Sequence, residues 1–176
     1  TNEFGAMRSK SEKDDSLWVK IGGEGYQTRI VEGILQIKAE SMMLGYLNAP
    51  SPFTEDNWFI TGDKVLQKGE YFKILGRESE MINVGGEKLY PAEVESVIQE
   101  MDNVAEVTVF GKPNTITGNI VCAKVRLNND EEKKEFSRRL KLYCSTKLLK
   151  YKVPVKVEIV NEKQYGARFK KLRANL

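Results

Sequence analysis

Apolar and polar positions in the first half of the chain alternate over short segments that glycines interrupt. Residues 17 to 38 read "LWVKIGGEGYQTRIVEGILQIK", and the interrupting glycines are Gly22, Gly23, Gly25 and Gly33. Alternation at a period of two is typical of half-buried strands, whereas glycine favours turns. This stretch therefore predicts a small meander of β-strands.

A second hairpin is predicted after the loop-like stretch "NAPSPF", which is rich in proline and polar residues. There "FKIL" runs into Gly76 and "EMINV" follows. This pattern predicts two strands with Arg77 at the turn between them. The tripeptide "TGD" at 61 to 63, taken singly, is interpreted as a hairpin turn.

The pattern changes to a helical spacing at Pro91, which suits the first position of a helix. One face of this predicted helix carries Val94, Val97, Ile98 and Met101. Strands are predicted over 104 to 110 and 119 to 127.

A second helix is predicted after Asp130, which is a suitable N-cap residue. A final strand is predicted in "VPVKVEIV" at 153 to 160. The second half is thus predicted to be a compact α+β domain of roughly 100 residues. The buried stripe of the second helix is predicted to consist of Phe136, Leu140, Tyr143, Cys144 and Leu148.

The amino-acid composition of the chain excludes several kinds of catalytic and metal site. The 176 residues contain no histidine, which excludes Ser-His and Cys-His nucleophiles and histidine metal sites. A net charge of +3 gives little support to nucleic-acid or membrane-surface binding. Cys122 and Cys144 fall in apolar patterns and are expected to pack as small hydrophobic residues. No apolar run is long enough to span a membrane, and "TNEFGAMRSK" is unlike a signal peptide, so we expect a cytoplasmic protein.

One long stretch carries a specific resemblance. The run "WFITGDKVLQKGEYFKILGRESEMINVGGEKLYPAEVE" resembles the signature of the adenylate-forming superfamily, which comprises acyl-CoA synthetases, peptide-synthetase adenylation domains and luciferases. The flanking segments "GILQIKAESMMLGYLN", with its Gly45-Tyr46 pair, and "AEVTVFGKPNTITGNIVCAKV" are similar to family segments as well. The resemblance covers nearly all of the chain and is strongest from 46 to 127.

The resemblance implies an α+β fold in two parts. Residues 1–76 would be a β-rich remnant of the large N-terminal domain, 77–80 a hinge, and 81–176 the mobile C-terminal domain. The family's Gly-rich phosphate loop does not occur in this sequence. We therefore expect a fragment that lacks the N-terminal domain of the same protein and is inactive alone.

The resemblance assigns nucleotide binding to Asp63 and Arg77. A carboxylate can accept hydrogen bonds from both ribose hydroxyls, and a guanidinium can donate to ribose or phosphate. The hinge position is Ser79, where the family usually has Asp or Lys. Asn83 stands where Lys is frequent.

The resemblance implies that Gly85 and Gly86 lie beside the pantetheine tunnel when the C-terminal domain has rotated. Two adjacent glycines let the backbone approach a thin ligand. Lys88 would either position the thiol cofactor or face solvent, and both interpretations remain open. Glu93 and Glu95 follow Pro91 and are expected to be solvated near the positive end of the helix dipole.

The two ends of the chain depart from the family pattern. The family's Gly-Lys motif supplies charge at the reacting phosphorus, but here Gly166 precedes alanine in "YGARFKKLRANL". Arg168, Lys170 or Lys171 would then take that role, unless the tail is only a solvated basic end. Glu3 in "TNEFG" resembles the glutamate that helps hold magnesium, although Asn2 replaces the usual threonine.

The resemblance implies an ATP-dependent ligase that activates a carboxylic acid as an acyl-adenylate and then forms an acyl thioester. ATP/AMP, Mg²⁺ and CoA, or a carrier-protein phosphopantetheine, would be the cofactors. Two alternatives remain open: transfer to a carrier protein or an amine, and a non-catalytic binding module that has lost the lysine. The sequence does not identify the acid or the oligomeric state.

Overall fold

The computed structural model of the protein describes residues 9–11 and 18–163. The chain divides into two compact units, Thr1–Ser79 and Glu80–Leu176, called here the first and the second unit. Four predicted site residues lie outside the described ranges: Glu3, Arg168, Lys170 and Lys171.

Within the described residues, the first unit contains one antiparallel sheet. Its six strands are β1 (Ser9–Ser11), β2 (Trp18–Ile21), β3 (Tyr26–Val31), β4 (Ile34–Ala39), β5 (Phe59–Lys68) and β6 (Tyr71–Arg77). They lie in the order β1-β2-β6-β5-β4-β3. Alternating apolar side chains from the central strands form the buried core, which consists of Leu35, Ile37, Phe59, Val65 and Phe72.

Three predictions for this sheet are wrong. β3 and β4 form the expected hairpin, but β2 pairs with β1 and β6, so the stretch is no simple meander. The "FKIL" segment belongs to β6, which pairs with β5 and β2 instead of with "EMINV". Arg77 therefore ends a strand, and "TGD" lies inside β5 instead of at a hairpin turn. A 3-10 turn, Glu78–Glu80, follows β6.

The second unit combines helices with a small mixed sheet. Its elements are β7 (Ile82–Val84), β8 (Glu87–Leu89), α1 (Pro91–Gln99), β9 (Val104–Asn114), β10 (Gly118–Leu127), α2 (Lys133–Lys147), the 3-10 turn Lys150–Lys152 and β11 (Lys156–Ile159). β10 lies between β9, which is antiparallel, and β11, which is parallel. β7 and β8 form a separate hairpin. The α+β class is thereby confirmed.

The core of the second unit is formed by the predicted helix stripes packed on the sheet. Pro91 occupies the start of α1, and Val94 and Ile98 on its inner face are fully buried. On α2 the buried residues are Phe136, Leu140 and Cys144. Cys122 and Cys144 are both free and buried, which confirms that they pack as small hydrophobic residues. Neither of the helices in the described ranges is long and apolar enough to cross a membrane.

Some element boundaries differ from the prediction. α2 is capped by Glu132, not Asp130, because the Glu132 carboxylate accepts hydrogen bonds from the backbone N–H groups of Lys134 and Glu135. Met101 lies just beyond the end of α1, although it is buried. The strand predicted over 104 to 110 continues to residue 114 as β9, and the strand predicted over 153 to 160 begins at residue 156 as β11.

Glu95 corrects a further expectation. Its side chain is 4% exposed, and its Oε1 accepts a hydrogen bond of 2.8 Å from the backbone N–H of Val109 on β9. The prediction of a solvated Glu95 is wrong because the packing of α1 against β9 turns this position inward. Glu93 is more exposed and forms an ion pair of 2.7 Å with Lys152.

Candidate functional site

Asp63 and Arg77 face each other across two neighbouring strands. They are register partners of β5 and β6, and Arg77 Nε lies 2.9 Å from Asp63 Oδ1. The Arg77 side chain is 57% exposed and that of Asp63 is 25% exposed. The structure thus brings the two predicted nucleotide-binding residues together as an ion pair within the first unit.

This pair lies where the sheet is irregular. On β4, Gln36 is the partner of Ile60, and Ile34 is the partner of Lys64. Three residues of β5, 61 to 63, therefore stand opposite the single residue Leu35. The ladder between β5 and β6 is also shifted directly after Lys64. Such bulges turn side chains out of the regular alternation of a strand.

Gly62 supplies the backbone conformation that this bulge requires. Its φ of +72° lies in the left-handed region, which glycine adopts without steric penalty. A Cβ at this position would lie 3.5 Å from the Arg77 guanidinium, which is an ordinary van der Waals contact. The glycine between Thr61 and Asp63 is therefore favoured by the backbone turn, whereas the guanidinium leaves room for a small side chain.

Thr61 joins both members of the pair and was missed as a functional residue by the sequence analysis. Its hydroxyl donates to the Leu35 carbonyl at 2.8 Å and accepts from the Asp63 backbone N–H at 3.0 Å. Its carbonyl accepts a hydrogen bond of 2.6 Å from Arg77 NH1. The sequence feature that could have indicated a role for Thr61 is its position immediately before Gly-Asp.

The chemistry of this arrangement suits a phosphorylated polyol. A carboxylate provides acceptors for hydroxyl groups, and the adjacent guanidinium provides donors for hydroxyl or phosphate oxygens. Because Arg77 is more than half exposed, its remaining donors can reach a ligand. The geometry is consistent with the predicted nucleotide-binding role, which stays a prediction.

Ser79 is exposed in the 3-10 turn at the boundary between the two units. The residue before it, Glu78, lies 3.6 Å from Lys64 Nζ, which also donates to the Glu32 carbonyl. Lys64 thereby ties the start of the predicted hinge to the sheet of the first unit. A pivot at Ser79 stays a prediction.

Gly85 and Gly86 form the two-residue turn between β7 and β8. Their φ values of +62° and +91° are the positive values that a tight hairpin turn needs at both central positions. The Gly85 N–H donates to the Thr117 carbonyl at 2.8 Å, and the Gly86 N–H donates to Asn83 Oδ1 at 3.0 Å. Asn83, which replaces a frequent lysine, thus braces the turn.

Lys88 is exposed on β8 opposite Asn83. No atom lies within 4 Å of a Cβ built at Gly85 or Gly86, so the tip of the hairpin borders open space. The second unit therefore presents a braced glycine turn with a lysine beside it. Contact of these residues with a thiol cofactor stays a prediction.

Among residues 9–11 and 18–163, no group of three or more His, Cys, Asp or Glu side chains converges into a metal site. The predicted magnesium ligand Glu3 and the predicted charged tail residues lie outside these ranges.

A second Asp-Arg pair in the first unit was not predicted. Arg29 NH1 lies 2.7 Å from Asp56 Oδ2, and the Arg29 guanidinium stacks 4.4 Å from the Trp58 ring. Hydrogen bonds from Arg29 and from the Thr54 hydroxyl lower the pKa of Asp56 to about 2. This pair fastens the loop before β5, and it provides a comparison for the Asp63-Arg77 pair.

Comparison with known proteins identifies the family. Residues 93–170 match the model of the AMP-binding enzyme C-terminal domain. A 2-succinylbenzoate–CoA ligase of Listeria monocytogenes is 36% identical over 153 residues, which cover 81% of this chain and 32% of the relative.

Solved structures agree with this match. The o-succinylbenzoate CoA synthetase MenE from Bacillus subtilis, in complex with the acyl-adenylate intermediate OSB-AMP, gives a TM-score of 0.72 at 30% identity and covers 97% of this chain. The anthranilate CoA ligase AuaEII in complex with anthranoyl-AMP gives a TM-score of 0.77 at 27% identity over 84% of this chain. This chain spans about a third of the length of each of these relatives. It belongs to the adenylate-forming, or AMP-binding, superfamily.

Proposed function

We propose that this chain is the C-terminal part of an ATP-dependent acid–thiol ligase that forms an acyl-CoA through an acyl-adenylate. The observation that carries the proposal is the Asp63-Arg77 pair, which joins an acceptor and a donor group on the bulged strands β5 and β6. Family membership supports it, because the relatives named above are CoA ligases.

The proposed reaction has two steps. A carboxylate oxygen of the acid attacks the α-phosphorus of ATP, the bond to the bridging oxygen breaks, and pyrophosphate leaves. The sulfur of the CoA thiol, as the thiolate, then attacks the acyl carbonyl carbon, and AMP leaves with the electron pair of the broken carbon–oxygen bond.

In the first step, the proposed role of Asp63 is to accept hydrogen bonds from the ribose hydroxyls. Arg77 donates to the ribose or the α-phosphate and orients the carboxylate. The basic tail, through Arg168, Lys170 or Lys171, supplies charge at the phosphorus. Mg²⁺ would neutralise phosphate charge, and Glu3 is the proposed ligand.

In the second step, the proposed contact with CoA is made by the β7-β8 turn. Gly85 and Gly86 carry no side chains that would obstruct a thin pantetheine arm, and Lys88 lies beside them as a cation for its polar groups. The division of the chain after Ser79 supports a hinge within 77–80, about which the second unit would reorient between the steps.

The experiment is ATP–pyrophosphate exchange by the full-length protein that contains this chain, with a panel of carboxylic acids. Succinylbenzoate and anthranilate head the panel because these acids appear in the names of the relatives, and fatty and amino acids complete it. Exchange that depends on one class of acid, followed by CoA-dependent release of AMP, is the expected result. A folded protein that binds ATP but exchanges with none of these acids would contradict the proposal.

A further inference from the structure

We infer that Thr61 is a positioning residue of the nucleotide site, whose side-chain hydroxyl holds the β5 bulge in the shape that sets Asp63 against Arg77. The geometric part of this inference stands on the structure alone. Its consequence for ATP rests on the proposed function.

The ladder between β4 and β5 is interrupted at Leu35. With residues 61 to 63 standing opposite Leu35 alone, the regular alternation of backbone partners fails at this point. The Leu35 carbonyl faces this interruption and receives the Thr61 hydroxyl at 2.8 Å. A side chain thus provides a hydrogen bond across two strands where the backbone pairing is displaced.

The Thr61 hydroxyl also accepts a hydrogen bond. The Asp63 backbone N–H donates to Thr61 Oγ1 at 3.0 Å, so one oxygen connects β4 to the residue that carries the carboxylate. Thr61 is only 9% exposed. In a buried position, loss of the hydroxyl would leave both Leu35 C=O and Asp63 N–H short of a partner, which favours a rearranged bulge.

The backbone of Thr61 also contacts the Arg77 guanidinium. Arg77 NH1 donates to the Thr61 carbonyl at 2.6 Å while Arg77 Nε contacts the Asp63 carboxylate. The backbone of Thr61 therefore sets the position of Arg77, and the hydroxyl sets the position of that backbone. A shift of Thr61 would move the acceptor and the donor of the site together.

The test compares three substitutions in the full-length protein. Thr61→Ser keeps the hydroxyl but loses the methyl group, Thr61→Ala loses both, and Thr61→Val loses the hydroxyl but keeps the branched shape. Thr108→Val is the matched control, because Thr108 is fully buried in the second unit and its Oγ1 has no hydrogen-bond partner in the described part of the chain.

We expect Thr61→Ala and Thr61→Val to raise the KM for ATP about tenfold, as for the loss of one hydrogen bond to a charged group, with kcat of exchange changed much less. Thr61→Ser should recover most of the affinity, and Thr108→Val should leave the KM unchanged. The same KM for ATP in Thr61→Ser and Thr61→Ala would overturn the inference. If Thr61→Val does not fold, the comparison of Thr61→Ser with Thr61→Ala is still sufficient to test the inference.

A second readout separates this inference from the proposed function. Hydrogen–deuterium exchange of the peptide that contains Asp63 should become faster in Thr61→Ala and stay close to the parent in Thr61→Ser. Unchanged exchange in the alanine variant would overturn the positioning role. A parent protein without exchange activity would refute the ligase proposal, and the deuterium measurement would still decide the role of Thr61.

Discussion

Replacing Glu95 by leucine is expected to destabilise the second unit selectively. Leucine places an apolar side chain of similar size on α1 but leaves the buried Val109 N–H without the carboxylate acceptor that it contacts at 2.8 Å. An unsatisfied buried donor costs about 1–3 kcal/mol. For a unit of roughly 100 residues, a loss of about 2 kcal/mol corresponds to a fall in Tm of roughly 8–16 °C.

The distribution of probes allows each unit to be followed separately. Both tryptophans, Trp18 and Trp58, belong to the first unit, whereas α1 and α2, the α-helices found in the described ranges, belong to the second. In the chain of 176 residues, helical circular dichroism should therefore report the unfolding of the second unit, and tryptophan fluorescence should report that of the first. We expect Glu95→Leu to lower the helical transition and to leave the fluorescence transition in place.

Two control variants complete this experiment. Glu95→Gln keeps a carbonyl acceptor for Val109 and should recover most of the loss. Glu100→Leu removes an exposed carboxylate near the end of α1, where it pairs with Lys147, and should lower the helical transition far less. If Glu95→Leu and Glu100→Leu lowered this transition equally, the assigned role of the buried hydrogen bond would be refuted.

Two further predictions concern a buried thiol and a constrained glycine. Burial raises the pKa of Cys144 from 9.0 to about 11, so the folded protein retains a proton that the unfolded chain releases. The free energy of unfolding of the second unit should therefore fall as the pH rises from about 9 to about 11. Cys144→Ala should make this fall less steep in pH-dependent unfolding. The same dependence on pH in the parent and in Cys144→Ala would count against this prediction. Gly33 has a φ of +77°, and a Cβ there would lie 2.9 Å from Lys64 Cε. Gly33→Ala should destabilise the first unit by about 1–2 kcal/mol in fluorescence-monitored unfolding, whereas Gly23→Ala, with open space around it, should be neutral; equal effects of the two substitutions would contradict this reasoning.

Local signals in the sequence were sufficient to predict the helices and their buried faces. Pro91 starts α1, and Val94, Ile98, Phe136 and Leu140 are buried as their helical spacing predicts. These features depend on neighbours within three or four residues. The cap of α2 shows the limit, because glutamate is not among the preferred N-cap residues, and only the chain path brings the Glu132 carboxylate, instead of that of Asp130, to the free N–H groups.

Strand pairing was predicted less well because it depends on distant partners. The alternation in β6 indicates a strand but does not reveal that β5 and β2 flank it. The burial of Glu95 has the same origin, since its partner Val109 belongs to another element. For a similar reason, the resemblance identified Asp63 and Arg77 but left their direct contact, and the bulge that Thr61 holds, to the structure.

The most direct test of the proposed nucleotide site is the affinity of the full-length protein for ATP after substitution of Asp63. If Asp63 binds the ribose, Asp63→Ala should weaken ATP binding by on the order of 1.5 to 3 kcal/mol, the value for hydrogen bonds to a charged group. Asp56→Ala breaks the comparison Asp-Arg pair in the same unit and should leave ATP affinity unchanged. Equal ATP affinities of the parent and Asp63→Ala, measured by calorimetry on folded protein, would contradict the central claim.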